Sequence, residues 1–181
     1  MNKERFLTFT DAIIAIIATL MVLEFKRPTE LGIAALNVLV LPAVAYTLSF
    51  FLIMIVWFNH HQLYQNIEKI SKKIFLYNTL WLFVMSFFPF TTGWVGAHLN
   101  DFLPEFLYIL IVFLWSLVFH LMEHELRREN QNVIWRSMGV GPVILFGIQL
   151  LALSIVIFWA PIGILSVTLL SIRGGIQFIR K

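Results

Sequence analysis

RFLTFTDAIIAIIATLMVLEF, residues 5–25, is the stretch that decides the fold class of this chain. It carries no charge between Asp11 and Glu24. At about 1.5 Å of rise per residue, a helix of this length crosses a hydrocarbon core of about 30 Å. A helix at the surface of a soluble protein would instead carry polar residues along one side. The stretch therefore predicts a membrane-spanning α-helix.

The rest of the chain has the same apolar character. Of its 181 residues, 60% are hydrophobic and 13% are charged, whereas an average soluble domain has roughly 25% charged residues. The polar residues cluster in short islands, which we interpret as loops between buried segments. The predicted fold class is an all-α polytopic membrane protein that forms a single domain over residues 1–181. Its six transmembrane helices are predicted at residues 6–25, 36–58, 74–94, 104–122, 141–159 and 161–179.

Two of these regions contain a proline that bears on helix geometry. Pro42 lies inside the second span, where it removes a helical hydrogen bond and predicts a bend that neighbouring helices can cover. Residues 141–172 carry no charge, and this run is too long for one crossing and is interrupted around Pro161. We therefore interpret it as a tight hairpin of two helices. The last helix is short before Arg173, whose charge must extend towards the lipid headgroups.

Basic residues are divided unevenly between the two sides of such a six-span chain. Eleven Lys and Arg residues lie at the termini and in the loops after the second and fourth spans, and two, Lys26 and Arg27, lie on the other side. The positive-inside rule then predicts a multi-pass protein of the plasma membrane with both termini in the cytoplasm. The first span is not interpreted as a signal peptide, because it lacks a clear small-residue cleavage site and is followed by these two basic residues.

The polar residues argue against several other classes of protein. Cysteine is absent, so the chain has no disulfides, thiol catalysis or cysteine metal site. The basic residues lie at segment ends rather than on one stripe, so no nucleic-acid partner is predicted. His120 and His124 share a helical face but lack the Glu of an HExxH motif, so no enzyme, resident metal or cofactor is predicted. The other residues that could contribute to a cytoplasmic metal site are His60, His61, Glu123, Glu125 and Glu129.

The first span has an apolar face. Ile16, Leu20 and Leu23 lie within about 40° of one another around the helix, and Thr19 lies about 60° from Ile16. Periodicity alone is consistent with lipid contact, with helix packing or with the lining of a pore.

The same span contains an acidic residue, Asp11. An ionisable group within a span is costly and is a functional candidate, although this one also lies only about two turns from the N-terminus. Thr10 and Asp11 point about 120° to 140° away from Ile16, so they face neighbouring helices if the apolar face lines a pore.

Motifs in the first three spans resemble those of one channel family. Arg5, three residues, and then Phe9-Thr10-Asp11 resemble the Arg-x-x-x-Phe-Ser/Thr-Asp signature of the transmembrane protein 175 family of potassium channels, with Thr10 in place of the usual Ser. The likeness extends to VWFNHHQLYQ at residues 56–65, to NTLWLFVMSFFPFTTG at residues 78–93 and to the apolar hairpin at the end. It covers essentially the whole chain.

This resemblance implies a homotetramer in the lipid bilayer, with one six-helix repeat per chain and a pore lined by the first helices. Ile16 then corresponds to the main hydrophobic constriction, and Thr19, Leu20 and Leu23 form further layers. The permeant ion is K⁺, and no cofactor is implied. The chain has no TVGYG loop, so a carbonyl cage cannot replace the hydration shell of the ion. We therefore expect a modestly selective, leak-type channel.

The resemblance also implies a structural hydrogen-bond network that holds the first helix. Its members in this sequence are Arg5, Phe9, Thr10, Asp11, His60 and Trp81, with Trp57 and Asn78 as weaker members. Interfacial anchoring explains Trp57 equally well, and capping or packing explains Asn78 equally well.

Two other readings of the sequence stay open. A secondary transporter of a small ion or solute would have inverted repeats and a polar site at the midplane, and Gln149 and Pro42 are the only features that favour one. A purely structural membrane protein would conduct nothing. Conductance in a reconstituted bilayer distinguishes these readings.

Overall fold

The computed structural model describes residues 2–29, 31–65, 67, 70–131, 133 and 142–179. Every regular element in these ranges is a helix. Two 3-10 segments, Met21–Glu24 and Ile33–Leu39, continue the first helix and precede the second. The α-helices are α1 (Lys3–Leu20), α2 (Val40–Tyr64), α3 (Lys72–Met85), α4 (Phe88–Ala97), α5 (Phe102–Glu129), α6 (Pro142–Ile155) and α7 (Ile162–Ile179).

Side-chain caps mark the starts of α1 and α3. Asn2 precedes α1, and its Oδ1 accepts hydrogen bonds from the backbone N–H groups of Glu4 at 2.8 Å and Arg5 at 3.4 Å. Ser71 precedes α3, and its Oγ accepts from the backbone N–H of Ile74 at 3.1 Å. The first N–H groups of a helix have no partner inside the helix, so these caps stabilise both starts.

Four helical stretches are long and apolar enough to cross a membrane: Lys3–Glu24, Ile33–Tyr64, Lys72–Ala97 and Phe102–Glu129. Two shorter apolar helices, Val143–Ile155 and Ile162–Ile176, follow them. The predicted all-α polytopic membrane class is confirmed. The final two helices are shorter than the roughly 20 residues of a perpendicular crossing.

Pro42 and Pro89 lie in the first turn of an α-helix. The segment before Val40 is a 3-10 helix, so the missing N–H of Pro42 interrupts no α-helical bond, and the prediction that Pro42 removes a helical hydrogen bond inside the span is wrong. The third span differs from the single predicted helix over residues 74–94. It breaks after Met85 and restarts at Phe88 with Pro89 in the first turn, because proline suits a helix start and not an interior.

The long helices α2 and α5 form the centre of the bundle. α2 packs against α4 and α7, and α5 packs against α3, α4, α6 and α7. Gly96 permits the close approach of α4 to α2, because a Cβ at this position would lie 2.8 Å from the Cα of Pro42. α1 contacts the remaining helices along one side only, mainly through α2, α3 and α4.

A buried carboxylate holds the terminal hairpin to α5. Glu105 is fully buried, and its Oε2 accepts a hydrogen bond from the backbone N–H of Ile164 at 2.8 Å. This places the carboxylate at the N-terminus of α7, where unpaired N–H groups and the helix dipole favour an anion. A Cβ at Gly163 would collide with the same oxygen, so only glycine permits this approach. Glu105 and Ile164 are 59 residues apart in the chain, and no local pattern in the sequence predicts their contact.

Candidate pore site

The side of α1 that contacts the other helices contains Thr10, Ile14 and Ile17, which are all buried. The opposite side is uncovered in the single chain. Ile14 is 2% exposed, whereas Ile16, two residues along, is 57% exposed. The four residues predicted to line the pore all lie on the exposed side, namely Ile16, Thr19, Leu20 and Leu23.

The end of this face changes helix type. After Leu20 the chain continues as the 3-10 segment Met21–Glu24. Side chains three residues apart in a 3-10 helix lie directly above one another, so Leu23 projects from the same side of the helix as Leu20. The hydroxyl of Thr19 donates to the carbonyl oxygen of Ile16 at 2.9 Å, which leaves the lone pairs of its oxygen available on the exposed face. One helix side therefore presents apolar layers with a single hydroxyl oxygen between them.

Asn78 on α3 connects three helices behind this face. Its Nδ2 donates to Oγ1 of Thr10 on α1 at 2.9 Å. Its Oδ1 lies 2.9 Å from Nε2 of His60 on α2, and because an amide oxygen can only accept, the imidazole nitrogen carries the proton. Thr10 in turn donates to the carbonyl oxygen of Phe6 at 3.0 Å. Thr10, His60 and Asn78 are all buried, so these bonds form where water does not compete.

Asp11 makes a second link between α1 and α2. The indole Nε1 of Trp57 donates to Oδ1 of Asp11 at 2.9 Å, and the carboxylate is half-buried. A hydrogen bond to an ionised acceptor is stronger than one between neutral groups. The two links lie on neighbouring residues of α1 and together determine how this helix is rotated in the bundle.

Trp81 enters this cluster through its ring. It stacks on His60 with the ring centroids 4.9 Å apart and an interplanar angle of 6°, and it stacks on Trp115 of α5 at 5.5 Å. Its buried Nε1 has no hydrogen-bond partner among the described residues. Trp81 therefore contributes packing of the His60 imidazole rather than a hydrogen bond.

The structure brings together six of the eight residues that the resemblance assigns to the network. Arg5 and Phe9 are exposed, and the Arg5 side chain makes no hydrogen bond or ion pair with any residue in the described ranges. Trp57 and Asn78, predicted as the weaker members, donate hydrogen bonds to Asp11 and Thr10. A polar amide inside an otherwise apolar span was the signal for Asn78.

The polar residues considered for a metal site are dispersed. No group of three or more His, Asp or Glu side chains in the described part of the chain is arranged to hold a metal ion. Glu123 instead forms an ion pair with Arg127 at 2.7 Å, and Glu125 forms ion pairs with Lys73 and Arg128.

Comparison with known proteins identifies similar sequences and folds. The family model described as endosomal/lysosomal potassium channel TMEM175 matches residues 5–89. A potassium channel of Chryseobacterium sp. (strain P1-3) is 33% identical over 133 residues, which cover 73% of this chain and 69% of that protein. A potassium channel of Chamaesiphon minutus (strain ATCC 27169 / PCC 6605) is 28% identical over 182 residues, which cover 88% of each chain.

A solved structure has the same fold. The crystal structure of a lysosomal potassium-selective channel TMEM175 homolog from Chamaesiphon minutus superposes with a TM-score of 0.75 over 96% of both chains. The sequences are 22% identical in this superposition, so the likeness supports the arrangement of the helices.

Proposed function

Because this chain belongs to the TMEM175 family, which is a family of ion channels and not of enzymes, we propose that it is a potassium channel whose pore is lined by the exposed face of α1. The observation that carries this proposal is the apolar face of Ile16, Leu20 and Leu23, which stays exposed among the described residues of one chain. The relatives named potassium channels support K⁺ as the permeant ion.

The pore requires several copies of the chain. One helix face cannot enclose a path, whereas a closed ring of identical subunits turns the same face of each α1 towards a common axis. The family resemblance favours four copies. A homotetramer then repeats Ile16 as a four-fold ring, with Thr19, Leu20 and Leu23 as successive layers on its outer side.

Ions cross this ring by losing part of their hydration. An apolar constriction disfavours water, so the energetic barrier depends on how firmly the ion holds its hydration shell. K⁺ holds water less tightly than Na⁺, which gives K⁺ the lower barrier. The Thr19 hydroxyl oxygen offers partial compensation next to the ring. The channel needs no cofactor for this process, and selectivity is modest because no cage of carbonyl oxygens coordinates the ion.

The network behind α1 positions the pore face. Thr10 and Asp11 are tied to α3 and α2, about 120° to 140° around the helix from Ile16. A rotation of α1 by one residue position would break both ties and turn Ile16 away from the axis. The network therefore acts on the pore through helix orientation rather than through contact with the ion.

Recording from the purified protein in a planar bilayer tests the channel and its constriction together. The wild type should give single-channel current steps and a reversal potential in a K⁺/Na⁺ gradient that favours K⁺. Ile16→Asn should raise conductance and shift the reversal potential towards equal permeability, because an amide restores hydration to the ring. A wild type without current steps would overturn the channel proposal, and assembled Ile16→Asn channels with unchanged currents would place the constriction elsewhere.

We also propose that the chain lies in the plasma membrane with both termini in the cytoplasm. The asymmetry of basic residues supports this orientation. An epitope tag on either terminus should be accessible only after the membrane is permeabilised. Labelling of either tag on intact cells would contradict the orientation.

A further inference from the structure

A cavity of about 100 Å³ lies between α2, α5, α6 and α7. None of the residues that line it belongs to α1, so it is separate from the proposed pore face. Most of its wall is apolar and includes Leu52, Ile55, Val56, Val112, Leu145 and Leu170, and Asn59 is among its polar residues.

Gln149 brings an unsatisfied polar atom to this cavity. Its side chain is 1% exposed, and its Nε2 donates to Oγ of Ser116 at 3.0 Å. The hydroxyl proton of Ser116 is already used, because this hydroxyl donates to the carbonyl oxygen of Val112 at 2.8 Å. Oε1 of Gln149 is buried and has no hydrogen-bond partner among the described residues. Buried polar atoms nearly always have a partner, so this oxygen is an unmet acceptor on a residue that lines the cavity.

Two further acceptors follow Ser116 along the same side of α5. Nδ1 of His120 lies 2.9 Å from the Ser116 carbonyl oxygen, which only accepts, so Nδ1 carries a proton and a neutral ring presents Nε2 as an acceptor. Glu123 accepts both hydrogen bonds from Arg127 on one oxygen, Oε1, at 2.7 and 3.1 Å. Its Oε2 keeps its acceptor capacity. Both residues line the cavity.

We propose that this cavity binds a small primary ammonium ion with a short alkyl chain. An ammonium group has three donors and no acceptor, which suits the unpaired oxygen of Gln149 in a cavity that His120 and Glu123 also line. The carboxylate adds charge attraction, and the apolar wall accommodates the alkyl chain. An apolar cavity of about 150 Å³ holds benzene, so the smaller space here limits the chain to about three or four carbon atoms.

Ligand-dependent thermal unfolding of the purified full-length protein tests this site. The probe is n-propylammonium chloride, with potassium chloride at equal ionic strength and n-propanol as the comparison ligands. Propylammonium should raise the unfolding temperature in a saturable way, because a ligand that binds only the folded state stabilises it. n-Propanol should bind at least about tenfold more weakly, because it supplies one donor and no charge. A wild type that shows no saturable shift with propylammonium would overturn the proposal.

Variants separate this cavity from the pore. Gln149→Leu should weaken propylammonium binding by about tenfold or more, because it removes the unpaired acceptor. Ser154→Ala, on the exposed side of the same helix, is the matched control and should leave binding unchanged. Ile16→Asn should also leave binding unchanged, and loss of binding in that variant would place the amine in the pore and overturn the proposal.

A second variant keeps the test decisive if Gln149→Leu does not fold. Leu145→Phe places a larger side chain in the wall of the cavity and retains Gln149. It should abolish propylammonium binding because the phenyl ring occupies the space of the ligand. Undiminished binding in Leu145→Phe or in folded Gln149→Leu would overturn the proposal. Binding is measured without ion flow, so these results do not depend on whether the protein conducts.

Discussion

The two sides of α1 are built from the same kinds of residue but have opposite surroundings. Both contain isoleucine and threonine, yet Ile14 and Thr10 are buried against neighbouring helices, whereas Ile16 and Thr19 are exposed. The buried threonine accepts a hydrogen bond from Asn78 on another helix. The exposed threonine bonds only to its own helix, with the Ile16 carbonyl as its acceptor.

This difference indicates that the buried side packs α1 into the bundle and that the exposed side contacts something outside the single chain. The fully buried hydrogen bond between α1 and another helix, from Asn78 to Thr10, lies on the buried side. From Ile16 to Leu23 the exposed side carries apolar residues and the hydroxyl oxygen of Thr19, and it is accessible to an ion, lipid or another subunit. Substitutions on the buried side should therefore change stability, and substitutions on the exposed side should change transport.

The largest expected effect on stability comes from the isoleucine pair. Ile14→Asn replaces a packed side chain with a buried amide that has no partner, and should reduce the free energy of unfolding by about 3 kcal/mol or more. Ile16→Asn should change it by no more than about 0.5 kcal/mol. Denaturant unfolding in detergent measures both values. Ile14→Val, expected to cost about 1 kcal/mol, keeps the test informative if Ile14→Asn does not fold. Equal losses for the two asparagine variants would remove the distinction between the sides.

The next effect comes from the bond between Thr10 and Asn78. Thr10→Val keeps the shape of the side chain but leaves the Asn78 amide without its acceptor, and should cost about 1 to 3 kcal/mol. Thr79→Val is the matched control, because Thr79 neighbours Asn78 but is exposed and bonds only to the Phe75 carbonyl. A double-mutant cycle of Thr10→Val with Asn78→Leu should show a coupling of at least about 0.5 kcal/mol. If the two substitutions have additive effects on the free energy of unfolding, the hydrogen bond between Thr10 and Asn78 does not stabilise the contact between α1 and α3.

The link between Asp11 and Trp57 should contribute less, because it is only half-buried. Trp57→Phe and Asp11→Ala should each reduce the free energy of unfolding by about 1 kcal/mol. We expect both variants to lower the yield of assembled protein without changing ion preference, since Asp11 points away from the pore face. The reversal potential in mixed K⁺ and Na⁺ measures that preference. Fully assembled Asp11→Ala channels with a large change of reversal potential would contradict this account.

The smallest effect on the single chain is expected for Arg5. Its side chain is exposed and has no partner among the described residues of its own chain, so Arg5→Ala should alter subunit stability by no more than about 0.5 kcal/mol. Any role in the proposed homotetramer should appear in assembly, measured as the tetrameric fraction by size-exclusion chromatography with light scattering. A subunit destabilised by more than about 1 kcal/mol, with an unchanged tetrameric fraction, would show that Arg5 acts within its own chain.

Several features of the fold could be predicted because they depend on local sequence. A span must satisfy its backbone hydrogen bonds internally and match the thickness of the bilayer, so long apolar runs predict helices directly. The helical repeat also placed Asp11 and Thr10 away from Ile16. The break after Met85 was not predicted, because the apolar run indicates one continuous helix, although Pro89 favours a helix start at that point.

The contacts of the candidate site could be predicted only in part. Sequence position does not show which side chains come within hydrogen-bond distance, so the hydrogen bonds donated by Asn78 and Trp57 were found only in the tertiary structure. The contact of Glu105 with the start of α7 was missed for the same reason, since the two partners are 59 residues apart in the chain.

The sequence by itself determined that this protein is a bundle of membrane helices. The length and hydrophobicity of a span are local properties, and they must match the thickness and apolar character of the bilayer core. It also determined that α1 has two different sides, since a helix of 3.6 residues per turn separates neighbouring residues by fixed angles. Only the tertiary structure decided which side is buried. That choice depends on the shape and hydrogen-bonding groups of α2 and α3, which meet α1 only after the chain has folded.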